Sequence, residues 1–170
     1  MHNYFSSSFK YHAWANDAFC EKLETLDSSL HTDQLYQTTQ LMNHIHLVLR
    51  IFAAHMVGRP HGYESDFPSQ NPALTQLRAD LAEIDQWYLE YVPTIAPAQF
   101  DDMMPFTFTD GDKGYMSRAE ILSHLVQHSV YHRGEVGRIL KQISIRPPRD
   151  TFAAFLHQAH PARRLQGKPA

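Results

Sequence analysis

Apolar side chains recur along four long stretches of the chain at short, nearly regular steps, which approximates the period of an amphipathic helix. A Thr32-Asp33 pair precedes the second stretch and is predicted to cap it. At the start of the fourth stretch, Ser117 to Glu120 matches the S-x-x-E capping box that often begins a helix. The pattern therefore predicts four long helices, at about Asn3 to Leu26, Asp33 to Val57, Ala73 to Val92 and Ser117 to Ile143.

The segments between these stretches contain residues that break helices. Arg59 to Pro72 is polar and rich in proline and glycine, so we expect a loop there. An alternating Phe-Thr-Phe-Thr run followed by Asp110-Gly111 predicts a hairpin. Phe152 to Leu156 is expected to form a helical turn against the bundle. The expected fold is therefore all-α: a four-helix bundle with long crossover connections and a short, exposed β-hairpin before the last long helix.

Length and composition narrow the class of protein. A chain of 170 residues indicates one domain, 1–170, with a polar tail at 161–170 that we expect to fray. The net charge of −3 argues against a nucleic-acid-binding surface. Cys20 is the single cysteine, so no intramolecular disulfide can form, as is usual in a reducing compartment. We see neither a signal peptide nor an apolar segment of membrane-spanning length, and we expect no membrane partner and a cytoplasmic location.

The chain contains 12 histidines, and their placement matters more than their number. His128 and His132 are four residues apart, so a helix presents both imidazoles on one face, as in H-E-x-x-H zinc proteins. The glutamate of that motif is absent, which argues against a metalloprotease. His124 lies on the same stripe, but His124 and His132 are roughly 12 Å apart along the helix, too far for one ion to be bound by all three.

A further ligand would have to come from another helix. His44 lies on the apolar stripe of the second helix and should face inward, whereas His46 lies about 200° further round. Chance spacing, with surface or hydrogen-bonded histidines, is an alternative that the pattern leaves open. The candidates for this ligand are His12, His44, His46 and His55.

One segment resembles a known family closely. The sequence SRAEILSHLVQHSVYHRGEVGRILKQISIRPP is similar to the C-terminal helix signature of the bacterial DinB/YfiT-like superfamily, in which H-x-x-x-H-R-G-Q precedes a helical run and Pro-Pro. YHAWANDAF and LMNHIHLVLRIFAAHM resemble the first and second helices of that superfamily. The resemblance covers most of the chain.

The resemblance implies a four-helix bundle with a three-histidine site for a divalent metal. Carried over by position, the ligands are His44, His128 and His132, while His124 matches a position that is often histidine but not usually a ligand. Glu135 stands where the family commonly has glutamine, and it is either a partner of His132 or a charged surface residue. Imidazole ligands suit zinc, nickel or iron, so the metal is not selected.

The implied function is metal-dependent chemistry on a small molecule. Three protein ligands leave a position open, as in catalytic zinc sites. Some superfamily members use a low-molecular-weight thiol, so the leading hypothesis is a thiol S-transferase or related enzyme that acts on a small electrophile. A metal-dependent hydrolase is the alternative enzyme, and a non-catalytic protein induced by stress or DNA damage is the other class. A homodimer through the first and last helices is also expected.

Proton-transfer groups and several single residues complete the expectations. Glu135 and Tyr131 are weak catalytic candidates, and Tyr131 points about 100° away from His132, so packing is the simpler role for it. The other expectations are Trp14 in the core, a salt bridge from Arg133 to an acidic neighbour, close helix packing at Gly134, and Cys20 as a small buried hydrophobe.

Overall fold

Four long helices form within residues 2–163, the part of the chain that the structure, a computed structural model, describes. They are α1 (His2–Glu24), α2 (Thr32–Met56), α3 (Leu74–Tyr91) and α4 (Arg118–Gln142), followed by the shorter α5 (Phe152–Ala159). Strands β1 (Met103–Thr107) and β2 (Lys113–Ser117) pair antiparallel before α4. The 3₁₀ helices are Val92–Thr94, Pro97–Asp101 and Pro161–Arg163. The predicted all-α bundle with a hairpin before its last long helix is confirmed.

Helix α4 begins as its sequence predicts, whereas α2 does not. The Ser117 hydroxyl accepts from the Glu120 amide at 3.2 Å, and the Glu120 carboxylate accepts from the Ser117 amide at 2.7 Å, which completes the capping box. The predicted Thr32-Asp33 cap of α2 is wrong. His31 precedes the helix without a side-chain cap, and the Thr32 hydroxyl instead donates to the Ser28 carbonyl at 2.7 Å.

Side-chain pairs define the directions of the four helices. Helices α1 and α4 are parallel, because a second pair joins them one turn after the first. Helix α2 is antiparallel to α4, and α3 is antiparallel to α1, so α2 and α3 run the same way. The pairs are His12–Ser129 and Asn16–Arg133 for α1 and α4, His44–His132 and Phe52–His124 for α2 and α4, and Phe9–Tyr88 and Asp17–Arg78 for α1 and α3.

The connection between α2 and α3 returns along the bundle because these helices are parallel. It runs antiparallel to α2 and bonds to it about once per helical turn. The Asp66 carbonyl bonds to His44, and the Pro68 carbonyl accepts from Gln40 at 3.3 Å. The Ser69 carbonyl then accepts from Tyr36 at 2.7 Å. The predicted loop is thus a crossover that is held against the first half of α2.

Phe106 is the buried side chain through which the hairpin packs on the bundle. Phe106 pairs with Gly114 across the strands, and its ring covers this glycine so closely that any Cβ there would collide with the ring. The ring is buried and meets Phe52 of α2 edge-on at 5.1 Å between centroids. Gly111 has φ +94° in the turn, a conformation that favours glycine, as the Asp110-Gly111 signal predicts.

Helix α5 packs on α1, which also explains the position of Trp14. Its indole lies half-buried against Phe155 of α5, 5.8 Å between ring centroids, and not in the central core as expected. The expected apolar turn is confirmed and extends to Ala159. Of the polar tail expected to fray, 164–170 lies outside the described residues.

The glycine of α4 that lies against a neighbouring segment is Gly137 and not Gly134. A Cβ on Gly137 would lie 3.5 Å from Pro147, whereas one on the exposed Gly134 would meet nothing within 4 Å. The packing expectation for Gly134 is therefore wrong within the part of the chain that the structure covers. None of the helices in that part combines the length and apolar character needed to span a bilayer.

Candidate metal centre

Three histidines from two antiparallel helices meet at one point of the bundle. One ring nitrogen from each of His44, His128 and His132 lies within 4.8 Å of the other two. The Nε2 atoms of His44 and His128 are 3.0 Å apart, and the His128 and His132 ring centroids are 4.5 Å apart. The i, i+4 spacing on α4 places two of these rings on one face, and α2 supplies the third from the opposite side.

The other histidines considered from the sequence lie outside this group. The His124 ring is 5.4 Å from that of His128 and packs against Phe52. His46 is buried elsewhere on α2 and accepts from the Arg50 Nε at 3.3 Å. His55 lies near the hairpin, with its Nε2 3.3 Å from the Thr107 carbonyl.

Hydrogen bonds to Nδ1 orient two of the three rings. The Nδ1 of His44 donates to the Asp66 carbonyl at 2.7 Å, because a carbonyl can only accept. The Nδ1 of His132 lies 2.7 Å from the Glu135 carboxylate. Such partners fix the tautomer and leave Nε2 with its lone pair free to bind a metal. Of the two roles considered for Glu135, the geometry is that of a partner of His132.

Burial favours the neutral form of His44 and His128. Desolvation lowers the pKa of His44, against the opposing effect of its hydrogen bond to Asp66. Desolvation, with repulsion from His44 and His132 added, lowers the pKa of His128 to about 3. Because neutral imidazole is the form that coordinates a metal, these two ligands need release no proton near neutral pH.

The hydrogen bonding of His128 fits a divalent ion. Its Nδ1 is buried and has no partner among residues 2–163, while its Nε2 faces the lone pair of the His44 Nε2. Whichever nitrogen carries the proton, one polar group of His128 or His44 stays unsatisfied. An ion bound between the Nε2 atoms would use both lone pairs, so His44, His128 and His132 could hold it.

Two exposed aromatic side chains border the histidines. Phe67, in the crossover, is 44% exposed, and its ring is 5.0 Å from that of His44. Tyr131 is 66% exposed and meets the His132 ring edge-on at 5.0 Å. The simple packing role expected for Tyr131 is therefore wrong, since most of its surface faces solvent.

A buried polar network links α1, α3 and α4, and the sequence did not indicate it. His12, fully buried on α1, has its Nδ1 2.8 Å from Asp85 of α3 and its Nε2 2.8 Å from the Ser129 hydroxyl. Asn16, one turn later, donates to Asp85 at 3.0 Å. The available signal was the matched i, i+4 spacing of His12 with Asn16 and of Ser129 with Arg133.

The network continues through Arg133, which is fully buried. Its guanidinium donates to the Asn16 side chain at 2.8 Å and to the Asp150 carboxylate at 2.8 Å. The expected salt bridge is thus confirmed. Ser129 and Arg133 each follow a metal-site histidine by one residue, so these bonds fix the rotation of α4 that presents His128 and His132.

The one cysteine of the chain takes no part in the site. Cys20 is fully buried in the core, and desolvation raises the pKa of its thiol to about 12. This agrees with the expected role as a small hydrophobe. A thiol-dependent reaction would therefore need a thiol from outside the chain.

Fold and site together define a helical bundle with a candidate three-histidine metal centre. The model of the DinB family matches residues 1–165, so the chain belongs to the DinB family. No curated protein shows significant sequence similarity to the chain.

Proposed function

We propose that this DinB family protein is a metal-dependent transferase that brings a small external thiol to a small electrophile at His44, His128 and His132. The observation that carries the proposal is the convergence of three imidazoles from two helices. Three protein ligands with an open position characterise catalytic zinc sites, whereas structural sites usually have four. A divalent ion held there would lower the pKa of a thiol and polarise an electrophile.

Backbone and side-chain groups around the cluster hold it in a geometry that suits this role. The Asp66 carbonyl and the Glu135 carboxylate hold the rings of His44 and His132 before any ligand arrives, so little ordering remains to be done on binding. The exposed rings of Phe67 and Tyr131 offer apolar surface to an incoming molecule. The buried Cys20 does not compete with an external thiol, because burial keeps it protonated.

The position of Glu135 favours a thiol over water as the nucleophile. Activation of water benefits from a general base within hydrogen-bond reach. Glu135 is the carboxylate with a recorded bond to the cluster, and it is already bonded to a ligand. A thiol, whose pKa is near 8.5, needs less help to lose its proton.

The test combines metal analysis with a thiol-transfer assay. Elemental analysis of the purified chain, followed by zinc, nickel and iron titration, should show one divalent ion bound per chain. His44→Ala and His128→Ala should abolish binding, whereas His157→Ala, an exposed histidine of α5, should not. Absence of metal binding in the unaltered chain would overturn the proposal.

The assay follows mercaptoethanol and chlorodinitrobenzene with the metal-loaded chain. A C–S bond forms, the C–Cl bond breaks, chloride leaves and the thiol proton goes to solvent. We expect a rate above that of the uncatalysed reaction, and the same two histidine substitutions should remove the excess. If the loaded chain instead hydrolyses nitrophenyl acetate and leaves the thiol reaction unchanged, the hydrolase alternative is correct.

A further inference from the structure

A small recess lies beside the histidine cluster, between α2 and the hairpin. It has a volume of about 30 Å³. Its wall consists mainly of Val48, Ile51 and Phe52 from α2 with Phe106 and Phe108 from the hairpin. The recess is therefore made by two elements that only the folded chain brings together.

The recess and the cluster share neighbours on α2 and in the crossover. Val48 follows His44 by four residues, so its side chain lies one turn further on the same face. Asp66, whose carbonyl holds the His44 ring, also lines the recess. On the other side, Phe52 packs against His124, which in turn contacts His128.

The chemistry of the wall favours an apolar group over water. Val48, Ile51, Phe52 and Phe106 are all buried apolar side chains. Nearby carbonyls are engaged, that of Asp66 by His44 and that of Thr107 by His55. Asp66, Thr107 and Thr109 contribute the polar side chains of the wall, and the five apolar residues make up most of its surface.

The charge of the wall argues against an anionic group. Among the residues that line the recess, none is lysine or arginine, and Asp66 is the one ionisable side chain. A carboxylate or phosphate entering here would lose hydration and gain no cationic partner. An uncharged group has no such ionic hydration to lose.

We infer that the recess is the subsite for a short, uncharged alkyl group of the substrate that docks on His44, His128 and His132. Because about 10–15 Å³ suffices for one water molecule, the recess takes a group of about two or three heavy atoms. The inference rests on the proposed function, since it names the class of molecule that reaches that cluster. Phe108, half-exposed at the rim, limits the length of the group.

The first experiment measures how affinity depends on chain length. Ethanethiol, propanethiol, butanethiol and hexanethiol are titrated into zinc-loaded protein by calorimetry. Each methylene that enters an apolar site is expected to tighten binding roughly fourfold. We expect that gain from ethanethiol to propanethiol and no further gain for hexanethiol. Equal affinity across the series, or a steady gain up to hexanethiol, overturns the inference.

Three variants test the wall itself. Val48→Ile adds a methyl group to the recess and should move the tightest binding from propanethiol to ethanethiol. Phe108→Ala opens the rim and should restore the gain for butanethiol and hexanethiol, and its exposure makes it safe for folding. Tyr115→Ala removes an exposed aromatic ring from the same hairpin but outside the wall, and it should leave the series unchanged. If Phe108→Ala behaves as Tyr115→Ala does, the recess is not the subsite.

A second readout needs no metal. In metal-free protein with labelled methyl groups, propanethiol should shift the resonances of Val48 and Ile51 and leave those of the core residue Leu77 in place. Shifts at Leu77 without shifts at Val48 overturn the inference. If the chain binds no zinc but Val48 and Ile51 still shift with propanethiol, the proposed function fails and the recess stands. If zinc binds but chain length has no effect, the recess fails alone.

Discussion

The Nε2 atoms of His44 and His128 lie 3.0 Å apart, although 84 positions separate the two residues in the chain. Hydrogen bonding of His44 to the Asp66 carbonyl directs its lone pair towards His128. Folding thus brings together two imidazole nitrogens at a distance at which they can hydrogen-bond to each other or bind one ion. The predictions that follow concern what holds this arrangement and what it does to the protein.

The metal-free protein should lose stability as the pH falls. Burial lowers the pKa of His128 to about 3 and lowers that of His44 and His124. The pKa of histidine in the unfolded chain is 6.5, so below that pH the unfolded chain binds protons that the folded chain does not bind. Stability therefore falls from pH 6.5 towards pH 3. Urea unfolding across this range should show a lower midpoint at acid pH. In His128→Gln the dependence should be shallower, and in the exposed control His157→Gln it should not change.

Removal of the Glu135 carboxylate should weaken metal binding. Loss of a hydrogen-bond partner behind a ligating histidine typically costs about 10–100-fold in affinity, so we expect that range for Glu135→Ala. Glu135→Gln keeps an acceptor near the His132 Nδ1 and should lose less. Competition with a chelator measures the affinities, and Glu90→Ala, an exposed carboxylate of α3, is the control. Equal affinity in Glu135→Ala and Glu90→Ala would show that Glu135 is only a surface charge.

Replacement of Arg133 should destabilise the fold strongly. Arg133→Met leaves Asp150 and the Asn16 oxygen without their cationic donor, and breaking a buried ion pair costs about 3–5 kcal/mol. Equilibrium unfolding in urea gives the change in the free energy of unfolding. Arg138→Ala, an exposed arginine on the same helix, should stay within about 0.5 kcal/mol of the unaltered chain. A loss below about 1 kcal/mol for Arg133→Met would mean that the network contributes little.

Gly134→Ala should stabilise the protein. A Cβ at this position meets no atom within 4 Å, and glycine inside a helix costs about 1 kcal/mol relative to alanine. The free energy of unfolding should therefore rise by roughly 0.5–1 kcal/mol. A decrease would show that another molecule packs against α4 here.

At Gly114 the same substitution should have the opposite effect. The added methyl group would collide with the Phe106 ring, which must then leave its position over the strand. Overpacking of this kind typically costs about 1–3 kcal/mol. Methyl resonances of α2 that depend on the nearby Phe106 ring should change before the rest of the protein unfolds, which would show that the hairpin detaches first. If Gly114→Ala matches Gly134→Ala in stability, Phe106 does not anchor the hairpin.

The sequence predicted the helices well because their pattern repeats over many turns. The same holds for the capping box at Ser117, which depends only on neighbours in the chain. The cap at Thr32-Asp33 failed because local propensity does not decide which donor a hydroxyl finds, and Thr32 bonds back to Ser28. The packing role of Gly134 failed for a related reason, since a small residue indicates a close approach only if another element arrives there.

For the site, the sequence indicated the three histidines that the structure brings together but not the residues that support them. The i, i+4 spacing of His128 and His132 is visible in the chain, and the resemblance supplied His44. The partnership of His12 with Asp85 was not visible, because it depends on how α1 and α3 face each other. Likewise, nothing local to Asp66 indicates that its carbonyl would orient a histidine. Metal binding by the three histidines stays a prediction until the ion is measured.

The crossover between α2 and α3 adds an exposed border to a cluster that is otherwise held by helices. Its length is forced by two helices that point the same way, and it passes the cluster at Asp66 and Phe67. The histidines lie on helices, where substitution disturbs the core. Most residues around Phe67 belong to an exposed loop that tolerates replacement. Substitutions in this loop can therefore reshape the border of the cluster without moving the imidazoles.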